Sequence, residues 1–151
     1  MTVISAIIAS ERIILTEGVT NKDGTITVIK DETFDLDRGD RQLAYVVMHK
    51  RLNDRFSQGI DLVLVMANGA SQNAATSAML GAAELRGVLL SAVPAGVAVK
   101  RLHRHSLSRN FGARKVADYT RDDTFFEEHF RGAALRKGSR EAAFLLLSAE
   151  W

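Results

Sequence analysis

Residues 77–89 read SAMLGAAELRGVL, from Ser77 to Leu89, and this density of alanine and leucine is typical of an α-helix. The stretch contains the small residues Gly81, Ala82, Ala83 and Gly87. Small side chains let a helix approach its neighbour closely, where bulkier ones would hold it away. The stretch therefore predicts a helix from Ala74 to about Ala92 that packs tightly against a sheet or another helix.

Short apolar runs on either side of this helix predict five β-strands. Three of them come before residue 30 and are separated by tight connections, which predicts an antiparallel meander. The run Leu62–Val65 is apolar without alternation, as in a strand that is buried on both faces. The predicted strands are Val3–Ala9, Arg12–Val19, Thr25–Ile29, Asp61–Met66 and Val97–Leu102.

Helical periodicity predicts three further helices. Between Asp40 and Gln58 the apolar residues fall on one arc of roughly 120°, with Asp40 as the cap and Gly59 as the stop. The other two are Asp118–Phe130, with Phe125, Phe126 and Phe130 facing the core, and Glu141–Glu150. A meander followed by alternating helices and strands predicts an α/β fold, with a mixed five-stranded sheet (antiparallel meander plus parallel strands) and helices on its faces.

The composition fits a single globular domain over residues 1–151. The chain is 46% hydrophobic and 25% charged, which excludes fibrous and disordered classes, and it has no cysteine for disulfides, zinc or thiol chemistry. A net charge of +2 does not by itself indicate a nucleic-acid partner. No signal peptide is apparent, and the uncharged run Leu62–Ala83 is too polar for lipid, so we expect a cytoplasmic protein without a membrane segment.

The element order and several motifs resemble ribonuclease H-like proteins, and among these the RuvC-type Holliday junction resolvases. The second helix of those resolvases carries a Leu-Gly pair followed by Arg-Gly-Val, as Leu80-Gly81 and Arg86-Gly87-Val88 do here. Three further matches in kind are a break at Pro94–Gly96 before the strand Val97–Val99, a basic stretch ending near Gly112, and the closing stretch Ser139–Leu145. The resemblance implies a ribonuclease H-like fold and, as expectations, branched nucleic acid as partner and a homodimer.

The resemblance also implies a two-metal nuclease site, in which acids from the first strand, the fourth strand and the last helix hold Mg²⁺. Three of these four positions lack an acid here. They fall at Ile7 or Ile8, at Met66 or Ala67 with Asn68 next, and at Gly138, one turn before Glu141. Glu141 alone matches, either as a remnant of the catalytic set or as a surface residue. We therefore expect the nuclease site to be absent or badly degraded, with no metal or cofactor.

A metal site in this chain would have to be formed by other acids. Candidates are Glu17, Asp35, Asp37 and Glu84, and their spacing gives no sign that they converge. If Glu17, Asp37 and Glu141 did converge, the chain would be an active, Mg²⁺-dependent, structure-specific endonuclease.

The stretch from Lys100 to Lys115 reads KRLHRHSLSRNFGARK and contains six lysines and arginines and no acid. Since the whole chain carries +2, the residues outside the stretch carry −4. Charge segregated in this way favours contact with a phosphate backbone. The predicted nucleic-acid contacts are Lys100, Arg101, His103, Arg104, His105, Arg109, Arg114 and Lys115.

Other charged residues of the chain affect the predicted nucleic-acid contacts. The basic surface can be extended by Arg136, Lys137 and Arg140, or neutralised by Asp122, Asp123, Glu127 and Glu128. His103 and His105 would share one face of an extended strand and add pH-dependent charge, and no third metal ligand is evident near them.

Three functions follow from these observations. The first is a RuvC-like domain that binds branched or duplex DNA or RNA and does not cleave it. The second is the active endonuclease described above. The third is a homo-oligomeric protein-interaction module whose basic stretch meets an acidic protein partner.

Overall fold

A computed structural model describes residues 1–67, 74–132 and 134–149. Its centre is a six-stranded mixed sheet in the order β5-β4-β1-β2-β3-β6. The strands are Thr2–Ile8 (β1), Arg12–Thr20 (β2), Ile26–Asp35 (β3), Leu62–Ala67 (β4), Ala98–His103 (β5) and Phe130–Gly132 (β6). The β1-β2-β3 meander is antiparallel, and β4, β5 and β6 join by parallel pairing. The predicted architecture is confirmed, with one strand more than expected.

Six helices cover the two faces of the sheet in the described part of the chain. They are Arg41–Phe56 (α1), Ser77–Ala92 (α2), Arg104–Arg109 (α3), Val116–Arg121 (α4), Asp123–His129 (α5) and Lys137–Leu146 (α6). One apolar core lies between the sheet and α1 and α2, and a second lies between the sheet and α3 to α6. We call these the α1/α2 face and the α3–α6 face. None of the described helices has the length and apolar content needed to cross a lipid bilayer.

Local sequence signals account for the beginning and end of α1. The Asp40 side chain accepts a hydrogen bond from the amide of Leu43 at 3.0 Å, which satisfies one of the free N–H groups of the first turn. Gly59 follows the helix with a φ of 74°, a conformation that favours glycine. Both roles were predicted from the sequence.

The segment between β5 and α6 differs from its prediction. The expected helix Asp118–Phe130 is two helices, because Asp122 adopts extended backbone and its side chain caps α5 by accepting from the Phe125 amide at 3.2 Å. Phe130 begins β6, which pairs with β3. The three phenylalanines are buried, as predicted. The short α3 was not predicted, and α6 begins at Lys137 rather than Glu141.

Helix α6 lies unusually close to the sheet because the residues beneath it are small. The buried Ser5 hydroxyl of β1 donates a hydrogen bond to the Ala142 carbonyl at 2.5 Å. A Cβ atom added to Gly18 of β2 would lie 2.9 Å from a methyl group of Leu146 and 2.9 Å from a methyl group of Ile26. This close packing determines where the Glu141 side chain of α6 can reach.

Of the small residues Gly81, Ala82, Ala83 and Gly87 in α2, only the first two pack closely against other residues. Gly81 and Ala82 are buried, and a Cβ added to Gly81 would lie 3.1 Å from the Ser10 Cβ and 2.7 Å from the Arg41 guanidinium. Ala83 and Gly87 are exposed, and no atom lies within 4 Å of a Cβ added to Gly87. The prediction of tight packing is therefore correct for the first pair and wrong for the second.

A buried cluster of charges joins α1 to the meander. Arg55, only 6% exposed, forms ion pairs with Glu17 of β2 and with Glu32 of β3, the latter at 2.6 Å. Burial alone would raise the pKa of Glu32, but hydrogen bonds from Arg55 and Lys30 outweigh it and lower that pKa below its ordinary value of 4.5. Glu17 is thus a structural residue on the α1/α2 face.

We expect Gly18→Ala to destabilise the protein by about 1–3 kcal/mol, because the added methyl must displace two buried methyl groups. Gly87→Ala is the matched control in open space on α2, where better helix propensity should stabilise by up to about 1 kcal/mol. Urea unfolding of both variants measures this, and equal effects would contradict the close packing of α6.

We expect Arg55→Ala to cost about 3 kcal/mol at pH 7, since it leaves the half-buried Glu17 without its arginine partner and the half-buried Glu32 with Lys30 alone. Lys50→Ala, which breaks an exposed pair with Asp54, should change stability by less than about 0.5 kcal/mol.

The Arg55 cluster also has a pH signature. The lowered folded-state pKa of Glu32 stabilises the wild type fully above the unfolded value of 4.5, and this contribution is lost as the pH falls through the lower folded value. In Arg55→Ala, protonation at acidic pH instead removes the charge of a half-buried carboxylate that has lost its arginine partner, which reduces the destabilisation. The stability difference between the two proteins should therefore narrow between pH 7 and pH 4, and a constant difference would be evidence against the cluster.

Candidate nucleic-acid interface

The ends of β1 and β4 and the first turns of α6 come together on the α3–α6 face. Ile7 of β1 packs into the core of that face, whereas Ile8 packs into the opposite core. Met66 of β4 is 7% exposed in the same core as Ile7. A Cβ added to Gly138 would lie 3.4 Å from Ile14, the β2 partner of Ile7.

These residues do not fit a magnesium ion. Mg²⁺ requires oxygen ligands, and Ile7, Met66 and Gly138 offer none from their side chains. Asn68, the neutral oxygen considered from the sequence, lies outside the described residues. Glu141 is the one acid that this region of the fold retains.

The Glu141 carboxylate is bound by an arginine. Arg104, the first residue of α3, forms a hydrogen-bonded ion pair with Glu141 of α6. The two residues are 37 positions apart in the chain. Because α3 follows β5 directly, the guanidinium reaches the acid from the edge of the sheet and places a fixed positive charge beside it.

The other candidate acids lie elsewhere. Glu17 points to the α1/α2 face, where it pairs with Arg55, and Glu84 of α2 accepts a hydrogen bond from Tyr45 at 2.5 Å. Asp35 ends β3 in an ion pair with Arg12 at 3.4 Å, and Asp37 lies beyond that strand, so the two do not share a strand face. Within the described residues no three acids or histidines approach closely enough to hold a metal ion.

The basic stretch divides among several environments. Arg104, His105 and Lys115 line an open cleft of about 530 Å³. Its other lining residues are Met66, Ala67, Ser108, Val116 and Ala117. Met66 and Ala67 are the positions where the resemblance would place a strand acid. The cleft therefore lies beside these strand positions and has basic residues on its walls.

Further members of the stretch lie outside this cleft. Arg109 is exposed at the end of α3 and forms no ion pair with a described residue. Lys100 and His103 line a second cleft of about 380 Å³, together with Ser106, Asn110 and Ser148.

Arg101 lies on the opposite side of the sheet. Its neighbour in β4 is Val65, which belongs to the α1/α2 core, and paired residues of adjacent strands point to the same face. The prediction that His103 and His105 share one face of a strand is wrong. His103 ends β5 while His105 lies in α3, so they do not share a strand face, although their ring centroids are 6.1 Å apart.

Nearby acids neutralise part of the predicted surface. Arg114 pairs with Asp122 at 2.8 Å and stacks on Tyr119, and the hydrogen bond from Arg114 lowers the pKa of Asp122. Arg140 pairs with Asp123 at 2.7 Å. Arg136 pairs with Asp31 at 3.2 Å. These arginines were expected to enlarge the basic surface, but each has an acidic partner within the fold.

Comparison with solved structures identifies the class of fold. Thermus thermophilus RuvC in complex with a Holliday junction substrate superposes with a TM-score of 0.73 at 11% identity, over 98% of this chain and 92% of that one. The yeast mitochondrial Holliday junction resolvase Ydc2 gives 0.68 at 9% identity, over 96% and 75%. The fowlpox virus Holliday junction resolvase gives 0.54 at 13% identity, over 99% and 96%.

No protein-family model matches the sequence, and no curated protein matches it. The chain nevertheless has the fold of the RuvC-type Holliday junction resolvases, a ribonuclease H-like fold, as its motifs implied.

Proposed function

We propose that this chain is a nucleic-acid-binding domain of RuvC-type fold that binds branched or duplex DNA or RNA without cleaving it. The observation that carries the proposal is the ion pair between Arg104 and Glu141. It occupies the region where the resemblance implies a cluster of metal-binding acids, and Ile7, Met66 and Gly138 complete that region without a carboxylate.

The chemistry of the site supports binding over cleavage. Two-metal hydrolysis needs carboxylates that hold two ions, one of which activates a water while the other stabilises the leaving oxygen. A guanidinium neutralises a phosphate and forms bidentate hydrogen bonds with it, but it is always protonated and cannot generate hydroxide. Arg104 therefore neutralises the Glu141 carboxylate and does not supply the reactivity of a metal ion.

The residues that line the cleft of about 530 Å³ suit contact with a phosphate backbone. Lys115 supplies charge and Ser108 supplies a hydroxyl, while Arg109 lies exposed on the same short helix as Arg104, whose charge is paired with Glu141. No base-specific pocket is needed for this mode of contact, which supports recognition of shape over sequence.

The test is binding of a labelled four-way junction and a matching duplex, with and without Mn²⁺. We expect both to bind at low salt and neither to be cut. The double variant Arg109→Gln/Lys115→Gln should lower affinity about 10-fold and reduce the salt slope by about 2, because two phosphate contacts are lost. Lys22→Gln/Lys50→Gln removes the same charge from distant exposed sites and should leave affinity within about 2-fold.

Each alternative predicts a different result. Mn²⁺-dependent cutting that disappears in Glu141→Gln would make the chain an active endonuclease. Failure to bind any branched, duplex or single-stranded nucleic acid at low salt would overturn the proposal and favour an acidic protein partner.

We also propose that the chain forms a homodimer through the outer surfaces of α1 and α2. On α1, Leu43 is 60% and Val46 is 56% exposed, and on the adjacent α2, Leu80 is 56% exposed. The exposed Ala83 would let a second copy of α2 approach closely. A two-fold dimer buries the same apolar surface on both copies, which is a common use of such surfaces.

Analytical ultracentrifugation tests the dimer. We expect the wild type to sediment as a dimer and Leu43→Glu/Leu80→Glu as a monomer, because the introduced carboxylates would be buried without partners. Ile29→Glu, at a 51% exposed site on β3, is the control and should remain dimeric. A monomeric wild type would refute the dimer and leave the nucleic-acid proposal standing.

A further inference from the structure

A cleft of about 380 Å³ lies between β5 and α3, on the same face of the sheet as the cleft of about 530 Å³. We call them the small cleft and the large cleft. Lys100 and Leu102 of β5 line the small cleft, and their partners in β4 belong to the α3–α6 core. No acid is among the described residues that line it. Its volume falls in the range of small-molecule sites, roughly 300–1,000 Å³.

Helix α3 separates the two clefts. Successive residues of an α-helix advance by about 100° around its axis. Arg109 therefore lies on the side of α3 opposite the buried Leu107, on an exposed ridge between the clefts. The same spacing puts the residues of α3 that line each cleft on opposite flanks of this ridge. They are Arg104, His105 and Ser108 for the large cleft, and Ser106, Leu107 and Asn110 for the small one.

The two clefts approach each other at the beginning of α3. His103 lines the small cleft and His105 lines the large one, and their ring centroids are 6.1 Å apart. A nucleic-acid strand whose phosphate contacts Arg109 on the ridge therefore has a cleft on each side of it. The large cleft suits the phosphate backbone, and the small cleft remains for another part of the same strand.

The small cleft combines the groups that a nucleobase requires. Leu102 and Leu107 form an apolar floor, and the exposed imidazole of His103 offers a ring on which a base can stack. The side-chain amide of Asn110 carries both donors and an acceptor, and Ser106 adds a hydroxyl, so both can bond to the polar edge of a base.

A base inside a duplex is paired and stacked, and it must leave the duplex before a protein pocket can enclose it. We propose that the small cleft binds the base of an unpaired nucleotide. The source that we favour is the strand bound at Arg109, and this part rests on the proposed function. The cleft should therefore favour branched nucleic acid that has an unpaired nucleotide at the branch point.

The test compares two branched DNAs that differ at one position, an unpaired adenosine or an abasic residue at the branch point. Both present the same phosphates, so the difference in affinity measures binding of the base. We expect the wild type to bind the first DNA about 5- to 10-fold more tightly, as stacking of one base on a ring predicts. His103→Ala should lose most of this preference. His103→Phe keeps a ring without a titratable charge and should retain the preference.

The variants leave the fold intact, because the His103 side chain is exposed and makes no capping hydrogen bond to α3. Asn110→Ala removes the amide that faces the base edge and should also reduce the preference. Gln58→Ala, the matched control, removes an exposed amide beyond the end of α1 and should leave the preference unchanged.

A second measurement does not depend on nucleic-acid binding. Adenosine monophosphate should raise the melting temperature of the wild type more than ribose 5-phosphate does, and His103→Ala should lose the difference. If the wild type binds no nucleic acid, the proposed function fails, and this difference would assign the site to free nucleotide. Equal affinity for the two DNAs together with equal effects of the two phosphates would overturn the site. A base preference that survives in both His103→Ala and Asn110→Ala would overturn it as well.

Discussion

The close contact between α6 and the centre of the sheet is the constraint on which the rest of the α3–α6 face depends. It exists because Ser5 and Gly18 leave room for a helix backbone, and because the Ser5 hydroxyl bonds directly to a carbonyl of α6. A larger residue at either position would lift the helix. Glu141 would then move away from the end of β1 and out of reach of Arg104, and the layer formed by α3, α4 and α5 would lose the surface on which it packs.

The same constraint determines what lies where β1, β4 and α6 meet. The backbone brings these three elements together, and Ile7 and Met66 fill the space between them with apolar groups. Arg104 supplies the compensating charge for the Glu141 carboxylate. Because the guanidinium is tethered to α3, this compensation needs no free ligand.

Much of this architecture could be predicted from the sequence, because it depends on local sequence patterns. Strand patterning, the Asp40 cap and the Gly81–Ala82 contact each depend on a few neighbouring residues. The pairing of Arg104 with Glu141 had no such signal, since only the folded chain brings the two together. The three-residue β6 is too short to show a pattern. Helix α3 lies within a run of charges, and its one buried residue, Leu107, is too little to show a helical period in the sequence. Strand alternation could have separated Lys100 from Arg101, but a charge count along the chain merges them.

The open edge of the sheet at β5 has a consequence for solubility. A strand without a neighbour on one side presents free backbone groups to any other extended chain, and proteins commonly protect such edges with charged side chains. Lys100 and Arg101 lie in the middle of β5, beside the exposed Val99. Their charges thus discourage edge-to-edge aggregation as well as lining the two faces of the sheet. Replacing both charges with apolar residues would leave the strand edge open to pairing with a second copy of the chain.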